Sequence, residues 1–460
     1  MKLAFDAAVA ATHATVFDPC ASLPPMRVVT DTRTLQRGDT YLALRGERFD
    51  GHDYVAEAIA KGAAAVIIDK STARVGGTTT LLVANTLAAL MSLAGLARGS
   101  FAGRVLAITG SNGKTTTKAL LAQLLARRYG DRVLASPAND NNEIGVSTLL
   151  LAASNDAHDL LVVEMGARHV GDIEALVAIA KPQFGILTNI GEAHLEIMGS
   201  REALAKTKWA LFGGGARAIL NADDAESRER APRLAQPPHW FAAMDEDRIL
   251  SLNGASTVLV GASRLIAQSA AGAREERSVD VRVAGAHNRA NLAAALAGAL
   301  ELGLDLDMLA AAIPTLVLPP GRFESISLAS GVRLVYDAYN ANLSGMLAAL
   351  GAFAQEAAAR RIAVLGSMAE LGDGAPAMHV RVGAAAVAAK IEWLIVRGDF
   401  ASDIAQGARD AGLSSERIVV AATNQAAAGW LREHTCVGDL VLLKGSRKYT
   451  LEEIVAELRT

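Results

Sequence analysis

Apolar residues gather along this chain in short runs of four to six, separated by segments whose apolar positions recur at helical spacing. Alternation of that kind predicts parallel strands buried on both faces and covered by helices. In the first 84 residues the strands are Arg27–Val29, Tyr41–Leu44 and Ala65–Ile68, with a helix from about Tyr54 to Lys61. A helix from Thr86 to Arg98 then leads through Gly99 and Ser100 into a second unit. From Arg104 to about Ala312 the alternation continues and predicts a parallel sheet throughout, with Val105–Ile108, Leu160–Val163 and Phe184–Leu187 as its clearest strands. Pro314, Pro319, Pro320 and Gly321 break regular structure. Beyond them Arg333–Tyr336, Ile362–Leu365, Trp393–Val396, Ile418–Ala421 and Leu440–Leu443 predict a doubly wound domain. It lacks a Gly-x-Gly-x-x-Gly turn, so a Rossmann-like fold is expected there without a dinucleotide site.

Length fits this division, since 460 residues exceed one core and a prior of roughly 150 residues per domain gives about three. The 45 Lys and Arg residues against 48 Asp and Glu leave no field to hold nucleic acid or an anionic membrane, so any anionic ligand must be met locally. Cys20 and Cys436 belong to no Cys-x-x-Cys pattern, which argues against a zinc site or a disulfide framework and fits a reducing cytoplasm. Asp6 interrupts the apolar stretch after Lys2 where a signal peptide needs an uncharged core. The run Leu81–Ala97 is short for a bilayer span and contains Asn85.

The strand Val105–Ile108 runs into Thr109-Gly110-Ser111-Asn112-Gly113-Lys114-Thr115-Thr116 and then a helix-forming segment. A glycine turn between strand and helix aims backbone N–H groups and the helix dipole at one point, which makes a site for phosphate. Lys114 would reach the outer phosphates and Thr115 a magnesium ion. The general phosphate-loop pattern asks for glycine where this chain has Ile108, so it is met only in part. Other polar residues fall at the carboxyl ends of strands, where open sheets bind ligands. Glu164 ends one strand, as a metal ligand or a helix cap. Asn189 to Glu196 end the next and include His194, a second candidate metal ligand. Lys206 and Lys208 lie on a predicted helix and by spacing alone read as a solvated face. Asn139 to Gly145 form a polar turn that suits either substrate binding or an ordinary loop.

Together these stretches resemble the Mur ligases, the ATP-dependent enzymes that extend the peptide of the bacterial cell-wall precursor. The similarity runs over nearly the whole chain. Thr109–Thr116 looks like that family's form of the phosphate loop, and Glu164, Asn189–His194, His287-Asn288-Arg289-Ala290-Asn291 and Gly321-Arg322-Phe323-Glu324 follow in the family's order. The resemblance implies three domains. A small N-terminal α/β domain (1–84) takes the UDP substrate, a central P-loop ATPase domain with a parallel sheet (85–315) binds ATP, and a C-terminal Rossmann-like domain (316–460) takes ATP and the incoming amine. It implies that Gly110, Ser111, Asn112, Gly113, Lys114, Thr115 and Thr116 cradle ATP, that Asn291 contacts adenine, and that Arg322 and Asp337 reach ATP from the third domain. It further implies that Thr115, Glu164, His194 and a carbamylated Lys208 hold Mg2+, with Lys114, Lys208, His194 and Glu164 as the catalytic set. Carbamylation would reverse the solvated-face reading of Lys208.

Third-domain motifs, Tyr336–Asn342, Leu365–Gly372 and Leu443–Arg447, resemble the member that attaches D-alanyl-D-alanine to UDP-N-acetylmuramoyl-tripeptide through an acyl phosphate. That likeness implies substrate contacts from Asp31, Thr32, Arg33, Asp50, Gly51 and His52 in the first domain. Asn139, Asn142, Asn340, Asn342, Lys444 and Arg447 are the further contacts. Taken alone, Asp31–Arg33 and Asp50–His52 read equally well as surface turns. Leu343 stands where the family usually has proline and Ser367 where it has aspartate; Leu343 is expected to loosen the turn that presents Asn342. The implied protein is a cytoplasmic monomer in peptidoglycan synthesis, and through it in cell shape and division, with no nucleic-acid or membrane partner. Other readings are a ligase adding the third peptide residue, a folylpolyglutamate synthase-like ligase, and a nucleotide-switched binding protein. Against the switch stand the Asn291 motif and the lack of an Asn-Lys-x-Asp guanine motif.

Overall fold

Strand residues such as Ala65–Ile68 and Leu160–Glu164 are buried along their whole length, as strands covered on both faces must be. The computed structural model describes residues 1–20, 24–46, 49–191, 195–244 and 256–459. It contains sheets of five, nine and six strands. Two compact units are present: Met1–Thr109 with Leu125–Ile186 and Thr207–Ala218, and Gly110–Leu124 with Leu187–Lys206 and Ile219–Thr460. No helix among the described residues is long and apolar enough to cross a membrane.

In the first unit, β1 (Thr15–Phe17), β2 (Val28–Val29), β3 (Thr40–Leu42), β4 (Ala65–Ile68) and β5 (Thr79–Leu82) form a sheet in the order β1-β5-β4-β3-β2. Only β1 runs antiparallel. Tyr41, Val55, Val66 and Ile68 anchor its core. The helix Thr86–Ser100, capped by Asn85 accepting from Ala88 N–H at 2.8 Å, follows. Then come β6 (Arg104–Thr109), β7 (Val133–Ala135), β8 (Leu160–Glu164) and β9 (Phe184–Leu187). β6 and β8 are parallel and in a register that pairs Ile108 with Glu164, so this carboxylate leaves the sheet level with the end of the strand that feeds the phosphate loop.

The second unit holds β10 (Arg217–Asn221), β11 (His239–Ala243), β12 (Thr257–Val260), β13 (Arg264–Gln268) and β14 (Arg274–Ser278). β10 to β12 are parallel, but β12, β13 and β14 are antiparallel. The expectation of a parallel sheet up to Ala312 is therefore corrected at its end. Only residues 261–263 separate β12 from β13, too few for a crossover helix, and a turn closed by Ser269 N–H on Ala273 carbonyl at 2.8 Å joins β13 to β14.

The C-terminal sheet comprises β15 (Glu324–Ser327), β16 (Arg333–Tyr336), β17 (Arg361–Gly366), β18 (Trp393–Arg397), β19 (Ile418–Val420) and β20 (Leu440–Lys444), in the order β15-β16-β20-β17-β18-β19. All but β15 are parallel. Alternate residues feed separate cores: Val335, Ala363, Leu365 and Leu442 pack on one face, Leu334, Ile362, Val364 and Val441 on the other. That is the doubly wound arrangement the alternation predicts. It sets the carboxyl ends of β16 and β20 side by side, and from them Asp337 and Lys444 emerge.

Candidate functional site

Gly110 and Gly113 have φ of +148° and +82°, a region that side chains disfavour. Each also lies where a Cβ has no room. One on Gly110 would stand 3.1 Å from Thr188 Cβ, and one on Gly113 3.0 Å from Asn291 Cγ, closer still to the polar tips of those side chains. The loop is stitched to the segment after β9. Ser111 N–H donates to the Asn189 carbonyl at 2.9 Å, Asn112 N–H to Asn189 Oδ1 at 3.1 Å, Thr188 Oγ1 to the Asn112 carbonyl at 2.6 Å and Gly191 N–H to Ser111 Oγ at 2.9 Å. The helix Lys114–Tyr129 then opens, and Lys114 Nζ folds back to the Gly110 carbonyl at 2.7 Å.

This loop forms one wall of a cavity of about 360 Å3, lined from Ser111 to Thr116 and by Asn291, Arg322, Asp337 and Lys444. The volume lies in the range of small-molecule sites. Three cations, Lys114, Arg322 and Lys444, face one carboxylate, Asp337, in a chain whose net charge is −3. The local excess of positive charge suits a polyanion. Arg322 sits over the Tyr339 ring, 4.3 Å from its centroid, and Nη2 reaches Thr115 Oγ1 at 3.5 Å. Asn291, buried beside Gly113, donates to Asn288 Oδ1 at 3.4 Å.

Asp337 and Lys444 are both buried and pair at 2.8 Å, with Phe323 N–H donating to Asp337 Oδ1 at 3.3 Å and Lys444 Nζ to the Asp337 carbonyl at 3.2 Å. They line the cavity while holding each other. Burial, reinforced by Lys444 and Arg289 and opposed by Asp337, pushes His287 down to about 4, so this imidazole on the cavity wall is neutral at neutral pH. Asn340 and Asn342 line the same cavity; Arg447 does not, its side chain being largely exposed and paired with Glu452 at 2.8 Å.

Leu343 does not loosen the turn. It is the first residue of the helix Leu343–Phe353 and is 1% exposed, inside the apolar core, while Asn342 is held as the N-cap by Gly345 N–H at 2.8 Å. Burial and the cap do what a proline ring would do. Ser367 is buried too and receives Phe400 N–H at 2.9 Å, a structural bond.

In the first unit Glu164 is 1% exposed and accepts from Asn141 Nδ2 at 2.9 Å. Asn141, between Asn139 and Asn142, is marked in the sequence only by its place in that polar run. Asn139 is exposed, and Asn142 caps the helix Glu143–Ala152 through Gly145 N–H at 3.0 Å. Lys208 is 2% exposed whereas Lys206 is exposed, so the solvated-face reading holds for the second and fails for the first. Two residues apart on a helix, they point to different sides. His194 lies outside the described residues.

Asp31 is clasped by Arg33, whose guanidinium holds the carboxyl below its ordinary range, and Thr32 is buried with its carbonyl accepting from Lys61 at 3.0 Å. Asp50 is held well below the carboxylate range by the Lys70 ammonium and by His52. His52 donates from Nδ1 to Asp50 at 2.6 Å and accepts Asp69 N–H at Nε2 at 3.1 Å, while Gly51 N–H bonds the Leu44 carbonyl at 2.7 Å. Asp50–His52 is thus an internally bonded turn.

Comparison with known proteins agrees with this layout. Residues 27–89 match the model of the Mur ligase family, catalytic domain; residues 108–299 match the Mur ligase middle domain; and residues 321–447 match the Mur ligase, glutamate ligase domain. A UDP-N-acetylmuramoyl-tripeptide--D-alanyl-D-alanine ligase of Synechocystis sp. is 37% identical over 94% of this chain and 91% of its own length. A crystal structure of MurF from Acinetobacter baumannii superposes with a TM-score of 0.84 at 28% identity, covering 100% of this chain and 99% of the other. MurF ligase from Thermotoga maritima, solved in complex with ADP, gives a TM-score of 0.79 at 29% identity over 94% of this chain and 97% of that one. With three family domains in order and full-length relatives at this identity, the chain belongs to the Mur ligase family.

Proposed function

We propose that the protein is an ATP-dependent amide ligase that joins D-alanyl-D-alanine to UDP-N-acetylmuramoyl-tripeptide, giving the pentapeptide precursor of peptidoglycan. The observation that carries this reading is the cationic cavity between the phosphate loop and Arg322, Asp337 and Lys444, together with relatives of that activity over the full length. Residues 1–84 take the UDP substrate, 85–315 the ATP and 316–460 the dipeptide, in the cytoplasm.

Amide formation in water is uphill, so the carboxylate must first gain a leaving group. The terminal carboxylate of the tripeptide attacks the γ-phosphorus of ATP; the bond to the bridging oxygen breaks, leaving ADP and an acyl phosphate. The free amine of the dipeptide then adds to the acyl carbon, loses a proton, and inorganic phosphate departs. Both steps gather negative charge on phosphoryl and carboxyl oxygens, where Lys114 and Arg322 supply fixed positive charge. Asn291 orients the adenine, and the Lys444–Asp337 pair holds the strand ends that present Asn340 and Asn342. Exclusion of water from the acyl phosphate falls to closure of the domains.

Magnesium fits the donors. Among the described residues no cluster of three or more His, Cys, Asp or Glu forms a cage, and magnesium is ordinarily held by one or two carboxylates plus substrate phosphates and water. The Glu164 carboxylate and a carbamate on Lys208, both side chains being buried, would hold it; when bound, the ion would neutralise phosphate charge. Phosphate release measured with each substrate singly and together tests the reading. Release that needs ATP, the tripeptide and the dipeptide together supports it; hydrolysis indifferent to both acceptors overturns it. Lys114→Ala should lower turnover by on the order of a hundredfold or more.

A further inference from the structure

Asn112 belongs to the phosphate loop, yet its side chain is turned to the C-terminal domain. Its main chain is fixed by Thr188 and Asn189. Its amide oxygen accepts from Asn342 Nδ2 at 2.7 Å, and its Nδ2 donates to Ser344 Oγ at 2.8 Å. Ser344 Oγ in turn donates to Asn342 Oδ1 at 3.2 Å, which closes a ring of three hydrogen bonds among three side chains.

The direction of that ring follows from one bond. Asn342 Oδ1 caps the helix by accepting Gly345 N–H at 2.8 Å, so the Asn342 amino group must face Asn112. Asn112 must then present its oxygen to Asn342 and its amino group to Ser344, and the Ser344 proton is left for Asn342. Each of the three side chains donates one bond and accepts one within the ring, and a closed polar ring of this kind strengthens its own members and fixes one arrangement. By contrast the bond from Arg322 to Thr115 is long, at 3.5 Å, and Arg322 also lies over the Tyr339 ring.

We propose that Asn112, Asn342 and Ser344 are positioning residues that lock the C-terminal domain onto the phosphate loop and so set the distance across which Arg322 meets the transferring phosphate. All three side chains line the cavity, and their bonds to one another fix its wall. The lock rests on the ligase reading only for its effect on turnover. Without it ATP still binds the loop, but Arg322 is delivered less often.

The test uses the full chain with Ser344→Ala, Ser344→Thr, Asn112→Ala and the double variant Asn112→Ala/Ser344→Ala. Ser344→Ala leaves the Asn342 cap in place. Its kcat should fall about five- to tenfold, the worth of one ordinary hydrogen bond, with KM for ATP within about twofold. Ser344→Thr should restore it. The double variant should be little worse than the more damaging single change, because either one opens the ring. Fully additive losses, or a raised KM with unchanged kcat, overturn the proposal. Amide hydrogen exchange across residues 343–353 reads the same ring without turnover: faster exchange in Asn112→Ala and Ser344→Ala supports it, and exchange equal to the unaltered protein overturns it. A protein that fails to ligate thus refutes the activity without deciding the ring.

Discussion

Replacing Gly113 by alanine tests whether the loop glycine is there for the backbone, for Asn291, or for both. The φ of +82° is costly for any residue with a Cβ, by about 1–2 kcal/mol. The added methyl would also stand 3.0 Å from Asn291 Cγ and closer to its oxygen, in a buried spot where overpacking costs about 1–3 kcal/mol. The loop escapes both by leaving the phosphate-binding conformation, so the sum, about 2–5 kcal/mol, returns as a loss of nucleotide affinity of roughly thirty- to several-thousand-fold. Asn291→Ala removes the obstructing amide. In that background Gly113→Ala should weaken affinity only by the backbone share, about five- to thirtyfold. Titration calorimetry of ATP on the four proteins of this cycle gives the coupling directly. An equal penalty for Gly113→Ala in both backgrounds would refute the reasoning, and would mean that the contact with Asn291 yields freely.

Lys444→Met strips a buried carboxylate of its partner and should cost about 3–5 kcal/mol of C-terminal-domain stability, much of it recovered by adding Asp337→Asn. Urea unfolding followed by fluorescence of Trp393 and Trp430, whose rings lie 5.0 Å apart in that domain, reads it, and an unrecovered loss would contradict it. His287 sits near 4 in the folded chain against 6.5 unfolded, so the unfolded state binds the extra proton between those values. The stability from keeping it neutral is present above pH 6.5 and is lost as pH falls toward 4, by at most about 3 kcal/mol. A His287→Gln protein should show a shallower acid loss in urea melts; an unchanged slope would reassign it. Intact-mass measurement in bicarbonate should find the added mass of one CO2 on Lys208, and an unmodified Lys208 under turnover conditions would remove the carbamate.

Much of the fold could be read from the chain because buried parallel strands leave unbroken apolar runs, as at Ala65–Ile68, Phe184–Leu187 and Arg333–Tyr336, where the boundaries agree to the residue. Thr15–Phe17 and Arg274–Ser278 leave no such run, because both are sheet edges, the first only three residues long and the second mostly exposed. In the site, strand-end placement singles out Glu164, whereas Asp337 and Lys444 enter through the family resemblance and stand at the ends of β16 and β20. What it could not supply was partnership. The Lys444–Asp337 pair and the Asn112–Ser344 bond join residues 107 and 232 positions apart, and only the folded chain brings them together. Lys208 shows the opposite limit, a residue whose burial contradicts the bland expectation for a lysine on a helix.

The β13–β14 hairpin carries a consequence for how the molecule behaves in company. β14 ends its sheet with a row of main-chain donors and acceptors facing outward, the kind of margin onto which another polypeptide can zip. Its sequence is Arg-Glu-Glu-Arg-Ser, and Arg277 is engaged by Glu275 at 3.0 Å and by Asp307 at 2.5 Å. A newcomer strand would have to set its own side chains against this charged thicket and displace those pairs. The hairpin therefore works as a selvedge on the cloth, and valine or isoleucine in place of Glu275 and Arg277 should make the chain self-associate at this edge.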